Sequence, residues 1–317
     1  MLKYREILQT QWNKEPWGGE MRGNMTNLSR MNLIKKVHGL MDSTDIEKQR
    51  HSQEQVGALL GNPKDMLIRE LSIENMEAEW ISVDRAHMKK YVILYCHGGG
   101  YSTGSRIYAR TLTTKLAAST SMDVLSFDYR LSPEHPYPAA LQDGMKAWNY
   151  LMLLGYGARD IIVAGDSAGG NLALSLVLKL KEEERLLPRG MVLLSPWTDL
   201  TASGRSYQSR KMVDPVLDRE YIDRMIRNYA GGRDLSSPLI SPLFGDFKGF
   251  PPVYIQVGDN EILLSDSMML HKKMVKANVS VKLDTFKGMW HVFQMTPFKT
   301  AHEAMEKCAE FIYDICR

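Results

Sequence analysis

A serine set between glycines constrains the possible fold of this chain more than any other stretch. The stretch is Gly165-Asp166-Ser167-Ala168-Gly169-Gly170; the apolar residues 161–164 before it predict a short buried strand, and residues 171–180 after it predict a helix. Glycine is needed at positions 165 and 169 because a side chain in so tight a turn would collide with the neighbouring strand and helix. The pattern is the G-x-S-x-G nucleophile elbow, which predicts that the Ser167 hydroxyl projects beside the helix N-terminus, where negative charge is stabilised.

Strand and helix patterns alternate along most of the chain. Residues 66–73 and 78–83 predict a hairpin, and further strands are predicted over 91–96, 122–127, 161–164, 191–195, 253–257 and 281–286. Helices are predicted over 107–118, 138–154, 171–180, 265–276 and 300–315. Strands that alternate with helices build a mostly parallel, doubly wound sheet, so the predicted fold class is α/β.

Two segments fall outside this alternation. Residues 1–62 have a helical pattern, with apolar side chains at positions 25, 28, 31 and 34 and a second helix that begins near Ser43 or Thr44. Residues 200–240 are polar and contain a helix over 218–229. We therefore expect both segments to pack on the outside of the sheet.

Length, charge and cysteine content narrow the class of protein. At 317 residues the chain can form one α/β domain over 1–317. Its 40 basic and 37 acidic residues are mixed along the chain without a basic stripe, which argues against a nucleic-acid partner. No run of about 18 apolar residues occurs, so we expect no membrane association. Three cysteines without metal-like spacing favour a reducing compartment, and we expect the protein to be cytoplasmic.

A nucleophilic serine needs a base to remove its proton, and His291 is the candidate. It follows the strand predicted over 281–286 and precedes the last helix, which places it at the same sheet edge as Ser167. His135 lies in a proline-flanked loop and is interpreted as a loop anchor. The remaining candidates lie in helical or linker stretches and are expected to face solvent: His38, His51, His87, His271 and His302.

A carboxylate that orients the base should lie between the serine and the histidine in the chain. Asp259 and Glu261 both follow the strand predicted over 253–257, on the correct sheet edge. Asp266 is assigned instead to the start of the next helix, where a carboxylate suits the helix dipole. The local pattern leaves Asp259 and Glu261 both open.

Backbone N–H groups must meet the oxyanion that develops on an acyl carbonyl. The Ala168 N–H follows the nucleophile, and the glycine loop His97-Gly98-Gly99-Gly100 follows an earlier strand. A phosphate-binding loop is excluded because Ser105 stands where its lysine would be, and Thr103 stands where a dinucleotide fingerprint requires glycine. No metal-ligand spacing occurs either. We therefore expect neither a metal nor a cofactor.

Five sequence blocks together resemble the bacterial hormone-sensitive-lipase-like esterases, a branch of the α/β-hydrolases. The blocks are residues 97–101, 128–140, 165–171, 195–200 and 290–293. The resemblance implies an α/β-hydrolase fold with an eight-stranded sheet whose second strand is antiparallel. It also implies a helical cap made of 1–62 and 200–240 over a core of 63–199 and 241–317, and the possibility of a homodimer.

The same resemblance implies roles for individual residues. Counting from Pro251-Pro252 to the family's acid position leads to Glu261, although aspartate is common there, so we prefer Glu261 over Asp259. The block over 128–140 is structural in the family, so its charged side chains are interpreted as a buried polar network: Asp128, Arg130 and Glu134.

The predicted function is that of a serine carboxylesterase acting on small, short-chain acyl esters through an acyl-enzyme. Ser167 attacks the carbonyl, His291 moves the proton and Glu261 orients His291. The predicted oxyanion donors are Gly98, Gly99 and Ala168. Two alternatives remain: a lactonase or amidase with the same triad, and a ligand-binding homologue without catalysis. The presence of His291 argues against the second, because receptors that resemble this family have lost that histidine.

Overall fold

The structure is a computed structural model that describes residues 26–41, 43, 45–61, 63, 65–87 and 89–317. The helical prediction for residues 1–25 lies outside the described residues. Eight strands join into one sheet. They are β1 (Met66–Ile73), β2 (Met76–Val83), β3 (Val92–Cys96), β4 (Asp123–Phe127), β5 (Ile161–Asp166), β6 (Gly190–Leu194), β7 (Val253–Gly258) and β8 (Val281–Phe286).

The strand order across the sheet is β1-β2-β4-β3-β5-β6-β7-β8. Strand β2 pairs antiparallel with both β1 and β4, and the other neighbouring pairs are parallel. Strands β3 to β7 are buried along their whole length, as expected where helices cover both faces of a parallel sheet. The predicted α/β class and eight-stranded, mostly parallel sheet are confirmed.

Helices connect and cover these strands. They are α1 (Asn27–Met41), α2 (Ile46–Leu60), α3 (Arg106–Thr120), α4 (Ala139–Leu153), α5 (Ala168–Glu182), α6 (Ser206–Ser209), α7 (Arg219–Ala230), α8 (Leu264–Lys276) and α9 (Lys299–Cys316). Short 3₁₀ turns lie at Ala158–Asp160, Pro242–Phe244 and Phe293–Met295. No helix in the described part of the chain is long and apolar enough to cross a membrane.

The two faces of the sheet bury different helices because successive strand side chains point in opposite directions. Leu94 of β3 packs in a core with Trp148 of α4, together with side chains of α5 and α8. Its neighbour Ile93 packs in the opposite core with Leu116 of α3 and Ile312 of α9. This arrangement is the doubly wound layering that the strand–helix alternation predicted.

Helix α2 begins slightly later than the sequence suggested. Asp45 is its N-cap, and the Asp45 carboxylate accepts the backbone N–H groups of Glu47 and Lys48 at 3.1 and 3.3 Å. The predicted start was Ser43 or Thr44. Each of these residue types can cap a helix, so the local pattern did not distinguish among them.

A buried carboxylate on β2 joins the hairpin to α3. Glu79 has no exposed surface, and its side chain accepts the Arg110 Nε at 2.9 Å and lies 3.4 Å from the Arg106 Nε. Two arginines therefore compensate one fully buried charge. Removal of one partner from such a cluster leaves an uncompensated charge in a medium of low dielectric constant.

We predict that Glu79→Gln lowers the free energy of unfolding by about 3 kcal/mol, because both guanidinium groups lose their buried carboxylate. Glu70→Gln is the matched control: Glu70 lies on β1, its side chain is 71% exposed and it stands 3.9 Å from Arg110. That control should change the free energy by less than about 0.5 kcal/mol. Urea unfolding of both variants measures the difference, and equal losses would contradict the prediction.

Candidate active site

Ser167 occupies a strained turn between β5 and α5. Its backbone has φ 53° and ψ −121°, which is rare for a residue with a side chain. A Cβ at Gly165 would overlap the carbonyl oxygen of Gly169, and a Cβ at Gly169 would overlap that of Cys96. Both glycines are therefore required by close backbone contacts, for the physical reason that the sequence indicated.

A chain of hydrogen bonds links Ser167, His291 and Glu261. The Ser167 Oγ lies 2.9 Å from His291 Nε2, and His291 Nδ1 lies 2.8 Å from Glu261 Oε2. Glu261 has no exposed surface, and His291 is 6% exposed. The neutral tautomer that satisfies both contacts carries its proton on Nδ1, donates to Glu261 and accepts the serine hydroxyl at Nε2. Water is therefore largely excluded from the contact between His291 and Glu261.

The second carboxylate oxygen of Glu261 is bound by residues at the ends of β6 and β7. Glu261 Oε1 accepts the Ser195 hydroxyl at 2.9 Å and the backbone N–H of Gly258. The Ser195 Oγ in turn accepts the Val292 N–H at 3.2 Å, next to His291. Ser195 thus joins the acid to the histidine loop, a contact that the sequence analysis missed because it depends on how β6 meets that loop.

The other two acidic candidates lie elsewhere. Asp259 Oδ1 accepts the Gly288 N–H at 2.6 Å and has no hydrogen bond to His291 among the described residues. Asp266 lies in the first turn of α8, as predicted, and its Oδ2 accepts the N–H groups of Thr198 and Asp199 at 2.8 and 3.0 Å. The structure therefore brings Glu261, and neither aspartate, to the imidazole.

Three carboxylates set the charge state of His291. Burial alone would lower the pKa of His291, but the hydrogen bond and charge of Glu261, with the charges of Asp214 and Asp166, outweigh burial and raise it above its usual value. The surroundings therefore favour the imidazolium, the form that a general base becomes once it has taken the serine proton.

Asp214 reaches the site from the segment 200–240. Its Oδ1 accepts the N–H groups of Val216 and Leu217 at 2.9 and 3.0 Å, and its Oδ2 accepts the Ile262 N–H at 2.8 Å. Burial raises the pKa of Asp214 to about 6. The Asp214 carboxylate joins the segment 200–240 to Ile262, the residue that follows Glu261. The polar sequence around Asp214 contains no signal that distinguishes it from the other acidic residues of this segment.

The assignment of Gly98 as an oxyanion donor is corrected by the structure. The Gly98 N–H donates to Asp166 Oδ1 at 3.0 Å, and the Tyr95 hydroxyl donates to the same oxygen at 2.7 Å. Asp166 is buried, and burial raises its pKa to about 6. Because the Gly98 N–H already donates to the Asp166 carboxylate, it is not available to bind a ligand.

The next two glycines have N–H groups without an acceptor in the described part of the chain. Gly99 and Gly100 have φ values of +114° and +61°, which favour glycine. Both line the cavity that contains Ser167. Ala168 is the first residue of α5, so its N–H has no partner within that helix. The available donors are therefore Gly99, Gly100 and Ala168.

A largely apolar cavity, partly open to solvent, lies beside Ser167. Its walls come from α1, α2, the segment 200–240 and the histidine loop. They include Ile34, Val37, His38, Gln53, Val56, Leu60, Val216, Leu217, Tyr221, Trp290, Val292 and Met295. An apolar acyl or alcohol group makes few hydrogen bonds with water, so it gives up few of them when it enters such a cavity.

Three histidines expected to face solvent are partly buried: His38, His87 and His271. His38 is half-buried and lines this cavity, and the His87 side chain is 6% exposed with Nε2 lying 2.6 Å from Asp123. Linker position alone did not reveal the His87 contact because Asp123 lies 36 residues away in sequence.

The buried network expected from the resemblance is also corrected. Asp128 pairs with Arg106, Arg130 with Asp143, and Glu134 with Arg50, in three separate ion pairs. The Asp128, Arg130 and Glu134 side chains are 27%, 41% and 47% exposed. Each pair connects a different part of the surface to the loop over 128–140.

No group of three or more His, Cys, Asp or Glu side chains within the described ranges is placed to hold a metal ion.

Comparison with known sequences identifies relatives of this chain. A family model described as an alpha/beta hydrolase fold matches residues 93–295. The chain is 38% identical over 247 residues to an esterase of Acinetobacter venetianus, covering 77% of this chain and 81% of the relative. It is 34% identical over 253 residues to an acetyl-hydrolase of Streptomyces hygroscopicus, covering 78% and 83%.

Solved structures agree with these matches. A hormone-sensitive lipase from a metagenome library has a TM-score of 0.87 at 34% identity, covering 92% of this chain and 99% of that chain. An esterase from the bacterial hormone-sensitive lipase family has a TM-score of 0.85 at 31% identity, covering 91% and 98%. The chain therefore belongs to the alpha/beta hydrolase family, in its branch of bacterial hormone-sensitive-lipase-like esterases, and is a carboxylic ester hydrolase.

Proposed function

We propose that the enzyme hydrolyses esters through a covalent acyl-enzyme on Ser167. The hydrogen-bond chain from Ser167 through His291 to Glu261 is the observation that supports this mechanism. As the Ser167 oxygen attacks the ester carbonyl carbon, its proton moves to His291 Nε2. The C–O bond to the alcohol then breaks, and the alcohol leaves with that proton. Water repeats the sequence, releases the carboxylic acid and restores the serine hydroxyl.

The oxyanion of each tetrahedral intermediate is proposed to accept hydrogen bonds from the Gly99, Gly100 and Ala168 N–H groups. The positive φ values of the two glycines and the helix-start position of Ala168 leave these donors without backbone partners in the described part of the chain. Donors that are fixed before the reaction stabilise the developing charge without having to reorganise.

A small acyl ester is the proposed substrate class. The cavity beside Ser167 is largely apolar and is lined by residues of α1, α2 and the segment 200–240. One relative is named an acetyl-hydrolase, which supports a short acyl group for this chain as well. A series of p-nitrophenyl esters of increasing acyl length tests the proposal, and a kcat/KM that is highest for long chains would overturn it.

We predict that Ser167→Ala lowers kcat by about 10⁶, because the nucleophile is lost while the fold is retained. In the wild-type enzyme, a p-nitrophenyl ester should give a burst of nitrophenol, and a fluorophosphonate should label Ser167. Absence of both in active wild-type enzyme would exclude the acyl-enzyme mechanism.

The two candidate acids are distinguished by a pair of isosteric substitutions. Glu261→Gln should lower kcat by about 10⁴, because the amide no longer holds the productive tautomer or stabilises the imidazolium. Asp259→Asn should lower kcat by less than about tenfold, since Asp259 hydrogen-bonds to Gly288 and not to His291. Measured on one short ester, the reverse ranking would assign the role to Asp259.

The pH dependence of kcat/KM should show the raised pKa of His291. Activity needs the neutral imidazole, so kcat/KM should fall as pH decreases through a midpoint above 6.5. Asp214→Asn removes a negative charge that favours the imidazolium, so this midpoint should move to lower pH. Asp234→Asn, at a fully exposed position in the same segment, is the control and should leave the midpoint unchanged. An unchanged midpoint in Asp214→Asn would contradict the inference that the charge of Asp214 raises the pKa of His291.

A further inference from the structure

Helix α2 makes two direct contacts with the glycine loop that precedes α3. Gln53 is 6% exposed, and its Oε1 accepts the Gly104 N–H at 2.9 Å. One turn earlier, the Arg50 Nε donates to the Ser102 carbonyl oxygen at 2.9 Å. Residues three apart lie on the same side of a helix, so one face of α2 holds the end of the loop over 97–104.

The end of this loop is packed against its beginning. Gly104 has φ +83°, and a Cβ there would overlap the carbonyl oxygen of Gly98. The Gly99 carbonyl oxygen accepts the Ser102 and Thr103 N–H groups at 3.1 and 2.9 Å. A displacement at Gly104 would therefore move Gly98 and Gly99, and Gly99 lines the cavity.

Helix α2 is itself fixed by its packing. A Cβ at Gly57 would overlap the Ile107 carbonyl oxygen, so α2 lies in direct backbone contact with α3. The Arg50 guanidinium also donates to the Ser132 carbonyl oxygen at 3.1 Å and to Glu134 at 2.8 Å. These contacts make α2 a rigid support on which Gln53 presents its amide oxygen.

We propose that Gln53 is a positioning residue for the oxyanion loop, acting through the Gly104 N–H. This inference rests on the proposed function, in which Gly99 and Gly100 supply oxyanion donors. If the Gln53 acceptor is lost, the buried Gly104 N–H has no partner and the loop must shift to satisfy it. Oxyanion donors act on the transition state far more than on the bound substrate, so a small shift lowers kcat and leaves KM nearly unchanged.

The test compares Gln53→Leu with Gln49→Leu. Gln49 is 1% exposed, lies one turn earlier on α2, and its Oε1 has no hydrogen-bond partner among the described residues. Both variants replace a buried glutamine of the same helix by leucine, but only Gln53→Leu removes the contact with the loop. Gln53 also lines the cavity, so a loss of substrate contact in Gln53→Leu would appear in KM. Kinetics on one short p-nitrophenyl ester are combined with inhibition by butaneboronic acid, whose tetrahedral adduct on serine resembles the intermediate.

Gln53→Leu should lower kcat about tenfold with KM changed less than about twofold, and should weaken boronate inhibition about tenfold. Gln49→Leu should leave all three values within about twofold of wild type. Gln53→Glu, which restores an acceptor oxygen, should recover most of kcat. If Gln53→Leu does not fold, Gln53→Met against Gln53→Glu makes the same comparison, with Glu at least about fivefold faster.

The proposal is overturned if Gln53→Leu loses no more kcat than Gln49→Leu, or if its loss appears in KM with boronate affinity unchanged. Equal rates for the Met and Glu variants would also overturn it. An active wild-type enzyme that gives no nitrophenol burst and is not labelled at Ser167 by a fluorophosphonate would instead contradict the acyl-enzyme mechanism. The two failures are therefore distinguishable in the same set of assays.

Discussion

The active site depends on the close approach of the elbow to the end of β3. Strands β3 and β5 are parallel neighbours, and Gly169 lies so near the carbonyl oxygen of Cys96 that no side chain fits between them. This contact sets the Ser167 turn directly beside the glycine loop that begins at His97. The same proximity lets Asp166 accept the Gly98 N–H across the two strand ends. The candidate nucleophile and the proposed oxyanion donors are thus placed together by backbone packing.

Two polar contacts extend this arrangement to the segments outside the sheet. Gln53 of α2 accepts a backbone N–H of the glycine loop, and Asp214 of the segment 200–240 accepts the N–H of Ile262 beside the acid. Both side chains bind backbone groups of loops that carry candidate catalytic residues. The two segments that line the cavity therefore also contact the loops of the candidate site.

The sequence predicted the features that depend on local patterns. Alternating strands and helices led to the correct sheet, and the spacing of glycines around Ser167 led to the elbow, because both follow from short-range geometry. The error at Gly98 has a different origin. Which glycine N–H is free depends on where the Asp166 side chain points. This is decided by packing between two strand ends, since Gly98 and Asp166 are 68 residues apart in sequence. The burial of the His87 and Glu79 side chains was unforeseen for the same reason, since each has a partner distant in the chain.

The buried carboxylates carry an energetic cost that the site requires. The folded-state pKa of Asp166 is raised to about 6, above the usual value of 3.8, so the folded protein binds its proton more tightly than the unfolded chain does. Ionised Asp166 therefore destabilises the fold increasingly as pH rises from 3.8 to about 6, by a limit on the order of 3 kcal/mol. The same negative charge accepts the Gly98 N–H and favours the imidazolium of His291. The buried Asp166 carboxylate thus lowers stability, but it also supports two features that the proposed chemistry needs. These are an ordered oxyanion loop and a histidine that can hold a proton.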